Sequence, residues 1–76
     1  MSLVRKRSVT IRGHRTSYSL EAPFFDDLVA IAGERSLTLA ALVAEVDAAR
    51  PRDANLSSAL RLYVLDWAKK GRPFGV

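Results

Sequence analysis

Along the first third of the chain, apolar and polar residues alternate. Val9 and Ile11 are apolar at odd positions, whereas Thr16, Tyr18 and Leu20 are the less polar set at even positions. Alternation with period 2 marks a strand that buries one face, and the β-branched and aromatic content of residues 8–21 suits an extended backbone. The frame flips across Arg12-Gly13-His14-Arg15, with Gly13 the natural place for a bulge or turn. After the flip, Arg15, Ser17, Ser19 and Glu21 share the face opposite Tyr18 and Leu20.

From Pro23 onward the period becomes helical. Pro23 suits the first turn of a helix, where its missing N–H loses no partner. Phe25, Leu28, Val29 and Ala32 follow at i, i+3, i+4 and i+7. Asp26 and Asp27 are expected in that first turn, at the positive end of the helix dipole, and the helix is expected to end near Glu34 or Arg35. A second helix starts at Thr38, whose hydroxyl can cap the following N–H groups. Its apolar stripe is Leu39, Leu42, Val43 and Val46, its small residues Ala40, Ala41 and Ala44 permit a close neighbour, and Pro51 closes it. Asn55 or Ser57 then caps a third helix running to about Lys70. It carries the stripe Leu56, Leu60, Tyr63, Val64 and Trp67, widened by Leu62 and Leu65. Lys69 and Lys70 suit its negative end, and Gly71 and Pro73 stop it.

The order is strand, helix, helix, helix, and a lone strand leaves a long unpaired edge. Residues 9–12 can fold back on 15–18 as a hairpin about Gly13-His14, or two chains can pair strand with strand across a twofold axis. The chain has 76 residues, enough for one small domain whose limited core makes oligomerisation a common remedy. Pairing between chains would therefore answer both needs.

Composition narrows the function. With no Cys and one His, there is no disulfide and no conventional zinc ligand set. No cofactor is expected. The longest apolar run, Leu37–Ala44, falls far short of the roughly 20 residues a membrane span needs, and the N-terminus lacks the apolar core of a secretory signal. A cytoplasmic protein is the expectation. His14 has no nucleophile or orienting carboxylate placed with it, so an enzyme is not expected. Of the aromatic residues, Phe25, Tyr63 and Trp67 fit a core or a dimer interface better than stacking platforms for single strands, whereas Phe24 can be exposed at the helix start. The net charge of +4 is unevenly placed. Residues 1–22 hold Arg5, Lys6, Arg7, Arg12 and Arg15 against Glu21 alone, while residues 23–76 hold seven basic and seven acidic side chains. A solvated tail explains Arg5–Arg7, but Arg12 and Arg15 lie within β-forming sequence, and this favours an anionic partner.

The segment RTSYSLEAPFFDDLVAIAGERSLTLAALVAEV resembles the ribbon-helix-helix family of bacterial and phage repressors. Together with KRSVTIRGHRTSYSLE and NLSSALRLYVL, it is similar to a subgroup with an extra C-terminal helix. The resemblance implies a mostly α fold with one β-strand, paired antiparallel across a homodimer, plus a third helix. The expected division is a basic arm and possible strand extension (1–14), a ribbon-helix-helix core (15–50), a loop and third helix (51–70) and a tail (71–76). It implies duplex DNA binding with the ribbon in the major groove, a mode that groove accommodates, and a role as a transcriptional regulator. Ser17, Ser19 and Glu21 would then face DNA, with Arg15 one step outward, and Thr38 would grip a phosphate at a helix N-terminus. Arg5, Lys6, Arg7 and Arg12 would add electrostatic grip. Tyr18, Leu20, Phe25, Leu42 and Val46 would form the dimer interface. Glu21 opposes phosphate unless it pairs with Arg12, Arg15 or a base. The alternative is a protein-interaction module, adaptor or antitoxin-like, that uses the apolar face of the third helix and binds DNA weakly.

Overall fold

A computed structural model describes residues 4–71. It contains two strands, β1 (Val4–Ile11) and β2 (His14–Glu21), followed by helices α1 (Ala22–Glu34), α2 (Leu39–Ala49) and α3 (Leu56–Gly71). Of the two pairings open from the sequence, the fold-back within one chain is present, so two strands stand where one was expected. β1 and β2 pair antiparallel in an unbroken register from Ile11↔His14 to Val4↔Glu21. The strand that closes the sheet thus comes from the same chain.

The turn lies one residue earlier than expected, at Arg12-Gly13 rather than Gly13-His14. Both residues have positive φ, 51° and 80°, the combination that a two-residue turn needs to match the twist of the flanking strands. This turn also accounts for the frame flip. In an antiparallel register, directly opposite residues share a face, so Val9 and Ile11 on β1 lie on the same side as Thr16, Tyr18 and Leu20 on β2. The two frames seen in the sequence are one face folded over.

α1 begins at Ala22 with Glu21 as its N-cap and Pro23 in the opening positions. Asp26 and Asp27 consequently fall beyond the first turn, a correction to the sequence expectation: the helix starts before Pro23, not at it. Its buried face also shifts by a position, to Leu28, Ile31 and Ala32, leaving Val29 44% exposed. Ser36 adopts φ 57°. Its N–H donates to the Gly33 carbonyl (3.1 Å) and that of Leu37 to the Ala32 carbonyl (2.8 Å), a Schellman closure with serine in the position that usually takes glycine. Thr38 caps α2, its Oγ1 accepting from the Ala41 N–H at 3.0 Å, and Asn55 Oδ1 caps α3 by accepting from the Ser58 N–H at 2.8 Å.

The helices pack on the inner face of the hairpin. Leu20, Leu28, Ile31, Leu42, Val43 and Leu60 are the most buried residues, joined by Ile11, Tyr18, Val46, Leu56 and Val64. A bidentate pair ties the helices together at the surface. Arg35 Nη1 and Nη2 reach Glu45 Oε2 and Oε1 at 2.5 and 2.9 Å, and Nη1 also donates to the Tyr63 hydroxyl at 3.0 Å. No described helix is long and apolar enough to cross a membrane. Gly71 ends α3, and the rest of the expected tail lies outside the described residues.

Candidate nucleic-acid interface

The register sorts the basic and polar residues of the hairpin into two faces. Val4, Lys6, Ser8 and Thr10 on β1 stand opposite Glu21, Ser19, Ser17 and Arg15 on β2, on the side away from Tyr18 and Leu20. Lys6, Ser8, Thr10 and Arg15 are exposed, while Ser17, Ser19 and Glu21 are half-buried. Side chains of alternating residues therefore form one outward surface with two cations, four hydroxyls and one carboxylate. Ser8 and Thr10 were not singled out from the sequence. Reading Arg12-Gly13 as a two-residue turn would have found them, since that turn alone puts them beside Ser17 and Arg15.

Arg7 belongs to the other face. Its guanidinium carbon lies 3.5 Å from the centre of the Phe25 ring, a cation–π contact, and its Nε is buried with no hydrogen-bond partner among the described residues. It also lies across the pair from Tyr18. Burial raises the Tyr18 hydroxyl above its ordinary pKa, with the Arg7 charge pulling the other way. Arg5 shares this inner face opposite Leu20 but is exposed, and Arg12 is exposed at the turn. The five basic residues before α1 thus divide: Lys6 and Arg15 outward, Arg5 and Arg7 inward, Arg12 at the tip.

Glu21 is held by α3. Arg61 Nε donates to its Oε1 at 3.0 Å, and this hydrogen bond is the main cause that keeps the Glu21 carboxyl below its usual range. The one carboxylate on the outward face is thereby paired from within the chain. Just beside it, the Ser19 N–H donates to Ser57 Oγ at 2.8 Å. That N–H points away from β1, so α3 occupies the free edge of β2 at this position, and Ser57 is spent there rather than as the helix cap.

Thr38 caps α2 at its exposed N-terminus. The other end of α2, at Asp47 and Arg50, is the one beside the turn, and eleven residues of helix put the two ends roughly 16 Å apart. Tyr18, Leu20, Leu42 and Val46 are buried within this chain, and Phe25 is half-buried beneath Arg7. Among the described residues no group of acidic, His or Cys side chains is placed to hold a metal.

A family model described as a ribbon-helix-helix domain matches residues 4–68. The chain belongs to the ribbon-helix-helix family. The match takes in both strands and nearly all of α3, so the added strand and the third helix fall within the matched region. Ribbon-helix-helix proteins are generally DNA-binding transcription regulators, typically not enzymes, and usually dimerise. No curated protein and no solved structure matches the chain.

Proposed function

We propose that this ribbon-helix-helix protein binds duplex DNA by laying the outward face of its own β1–β2 hairpin in the major groove, and that it acts as a transcriptional regulator. The observation that supports this most is the exposed pair Lys6 and Arg15, without an ion-pair partner among the described residues, flanking a row of hydroxyls on one face of a two-stranded ribbon. A major groove about 12 Å wide admits such a ribbon. Lys6 and Arg15 supply charge for phosphate or guanine, whereas Ser8, Thr10, Ser17 and Ser19 bond to several bases and discriminate weakly. Affinity then rests mainly on charge and sequence preference is modest. The ribbon is complete within one chain, so a homodimer would double the contact surface rather than create it. Membership of the family supports a regulator role and a cytoplasmic location, and Thr38 is a phosphate contact only where DNA wraps toward the far end of α2.

The test is fluorescence anisotropy of a labelled mixed-sequence duplex pool, titrated with protein across a salt series. Binding at low salt with a log–log slope of about −0.9 per phosphate neutralised supports the reading. Absence of any binding at low salt overturns it.

A second reading rests on α3. Leu62 and Leu65 are 64% and 46% exposed and lie one turn apart, a short apolar face that suits a protein-interaction module. Trp67, by contrast, packs on the core and is not part of it. Unchanged sedimentation and partner capture after Leu62→Glu would remove this reading.

A further inference from the structure

Between the hairpin turn and the C-terminal end of α2 lies a cleft of about 200 Å³ lined by Ile11, Arg12, His14, Thr16, Asp47 and Arg50. A second, more open hollow adjoins it, sharing Arg12, Asp47 and Arg50 and adding Arg52. We propose that this cleft binds a phosphate group.

Arg12 and Arg50 line the cleft against Asp47, and Arg52 lines the adjoining hollow, so the two together hold three arginines against one carboxylate, an excess of two positive charges before His14 is counted. That matches a phosphate dianion. Arg50 is already in place: its Nε donates to Asp47 Oδ1 at 2.7 Å and its Nη1 to the Ala54 carbonyl. Asp47 is spent on that bond and acts as the brace of Arg50 more than as a competitor for the ligand. Arg12 and Arg52 have no hydrogen bond or ion pair among the described residues, and both are exposed, so their planar forks are free for an oxyanion. Thr16 offers a hydroxyl and His14 a ring N–H from the end of β2.

Arg12 itself sits in a left-handed backbone conformation, at a turn position that favours Asn, Asp or Gly. An arginine there is not explained by the turn; a charge wanted at that point explains it. The site also stands apart from the proposed reading surface. His14 and Thr16 are on the same side of the hairpin as Tyr18, whereas Arg15, Ser17 and Ser19 are on the other. The phosphate can come from a small free ligand or from the backbone of a duplex passing the hairpin tip.

The two sources separate in one experiment. Amide ¹H–¹⁵N spectra are recorded during titration with inorganic phosphate and, separately, with a mixed-sequence duplex, for the natural chain and for an Arg12→Asn, Arg52→Gln double variant. Asn keeps the turn conformation while removing the charge, and a dispersed spectrum shows that the variant folds. Inorganic phosphate is expected to shift the Gly13, His14, Ala48 and Arg50 amides saturably, with affinity roughly tenfold weaker in the variant. A duplex that moves the same amides identifies backbone phosphate as the source. A duplex that moves only Lys6, Ser8, Arg15 and Ser17 identifies a free phosphate ligand. If neither titrant moves the cleft amides saturably, or if the variant responds as the natural chain does, the site is not there. The ribbon amides, read in the same spectra, report DNA binding independently.

Discussion

On one face of the hairpin, Tyr18 and Leu20 are buried by the helices and Arg7 lies over the Phe25 ring; on the other, Lys6, Ser8, Thr10 and Arg15 stand free of any partner among the described residues. Both faces come from the same sixteen residues of β1 and β2, and both carry cations. What separates them is the register that the Arg12-Gly13 turn imposes. A basic side chain one position along the strand changes from a packing element to a candidate ligand for phosphate. Charge in this segment therefore has two meanings, and counting it without the register mixes them.

The largest contrast is in stability. Leu20→Ala removes a fully buried side chain from the inner face and is expected to cost about 2–5 kcal/mol, read by urea denaturation, while Ser19→Ala, one residue away on the outer face, costs far less. Comparable losses at both would break the two-face description. Arg7→Ala comes next. Removing its stacking on Phe25 should cost about 0.5–2 kcal/mol, with Arg15→Ala close to neutral in the same assay. A destabilised Arg15→Ala with an unaffected Arg7→Ala would reverse the assignment of faces.

The smallest effect is the acid dependence of the pairs that fix α3 and the helices in place. Hydrogen bonds from Arg61 and Arg35 hold Glu21 and Glu45 below the ordinary carboxylate value of 4.5. Both carboxyls have a lower pKa folded than unfolded, so their contribution is present above the unfolded value and is lost as pH falls through the folded one. Glu45 is exposed and Glu21 half-buried, and solvent and salt reach and screen both. Thermal melts should show a shallow decline below about pH 4.5, abolished in a Glu21→Gln, Glu45→Gln variant. An equal decline in that variant would place the acid sensitivity elsewhere.

Much of this was legible in the sequence. Tyr18 and Leu20 inward and Ser17, Ser19 outward follow from alternation, and the helix ends follow from Thr38, Asn55 and Pro51. The ribbon-helix-helix family was legible too, from residues spread over both strands and all three helices. The second strand was harder to see because Arg5-Lys6-Arg7 has the composition of a solvated arm. Only the left-handed pair at Arg12-Gly13 turns it back along β2, and arginine is a poor advertisement for such a turn. The role of Glu21 was hidden for a different reason. Its partner Arg61 is forty residues away, and no local pattern connects a strand end to the side of a third helix. The shift of the α1 stripe from Val29 to Ile31 has the same origin: both fit a helical period, and only the packing partner decides between them.

If the outward face of the intrachain ribbon, and not its inner face, meets DNA, the salt dependence of duplex binding separates three single variants: Lys6→Ala, Arg15→Ala and Arg7→Ala. Lys6→Ala and Arg15→Ala should each flatten the log–log slope by about 0.9, the loss of one neutralised phosphate, while Arg7→Ala leaves the slope of the natural chain unchanged. A flattened slope for Arg7→Ala with unchanged slopes for the other two would contradict contact through the outward face.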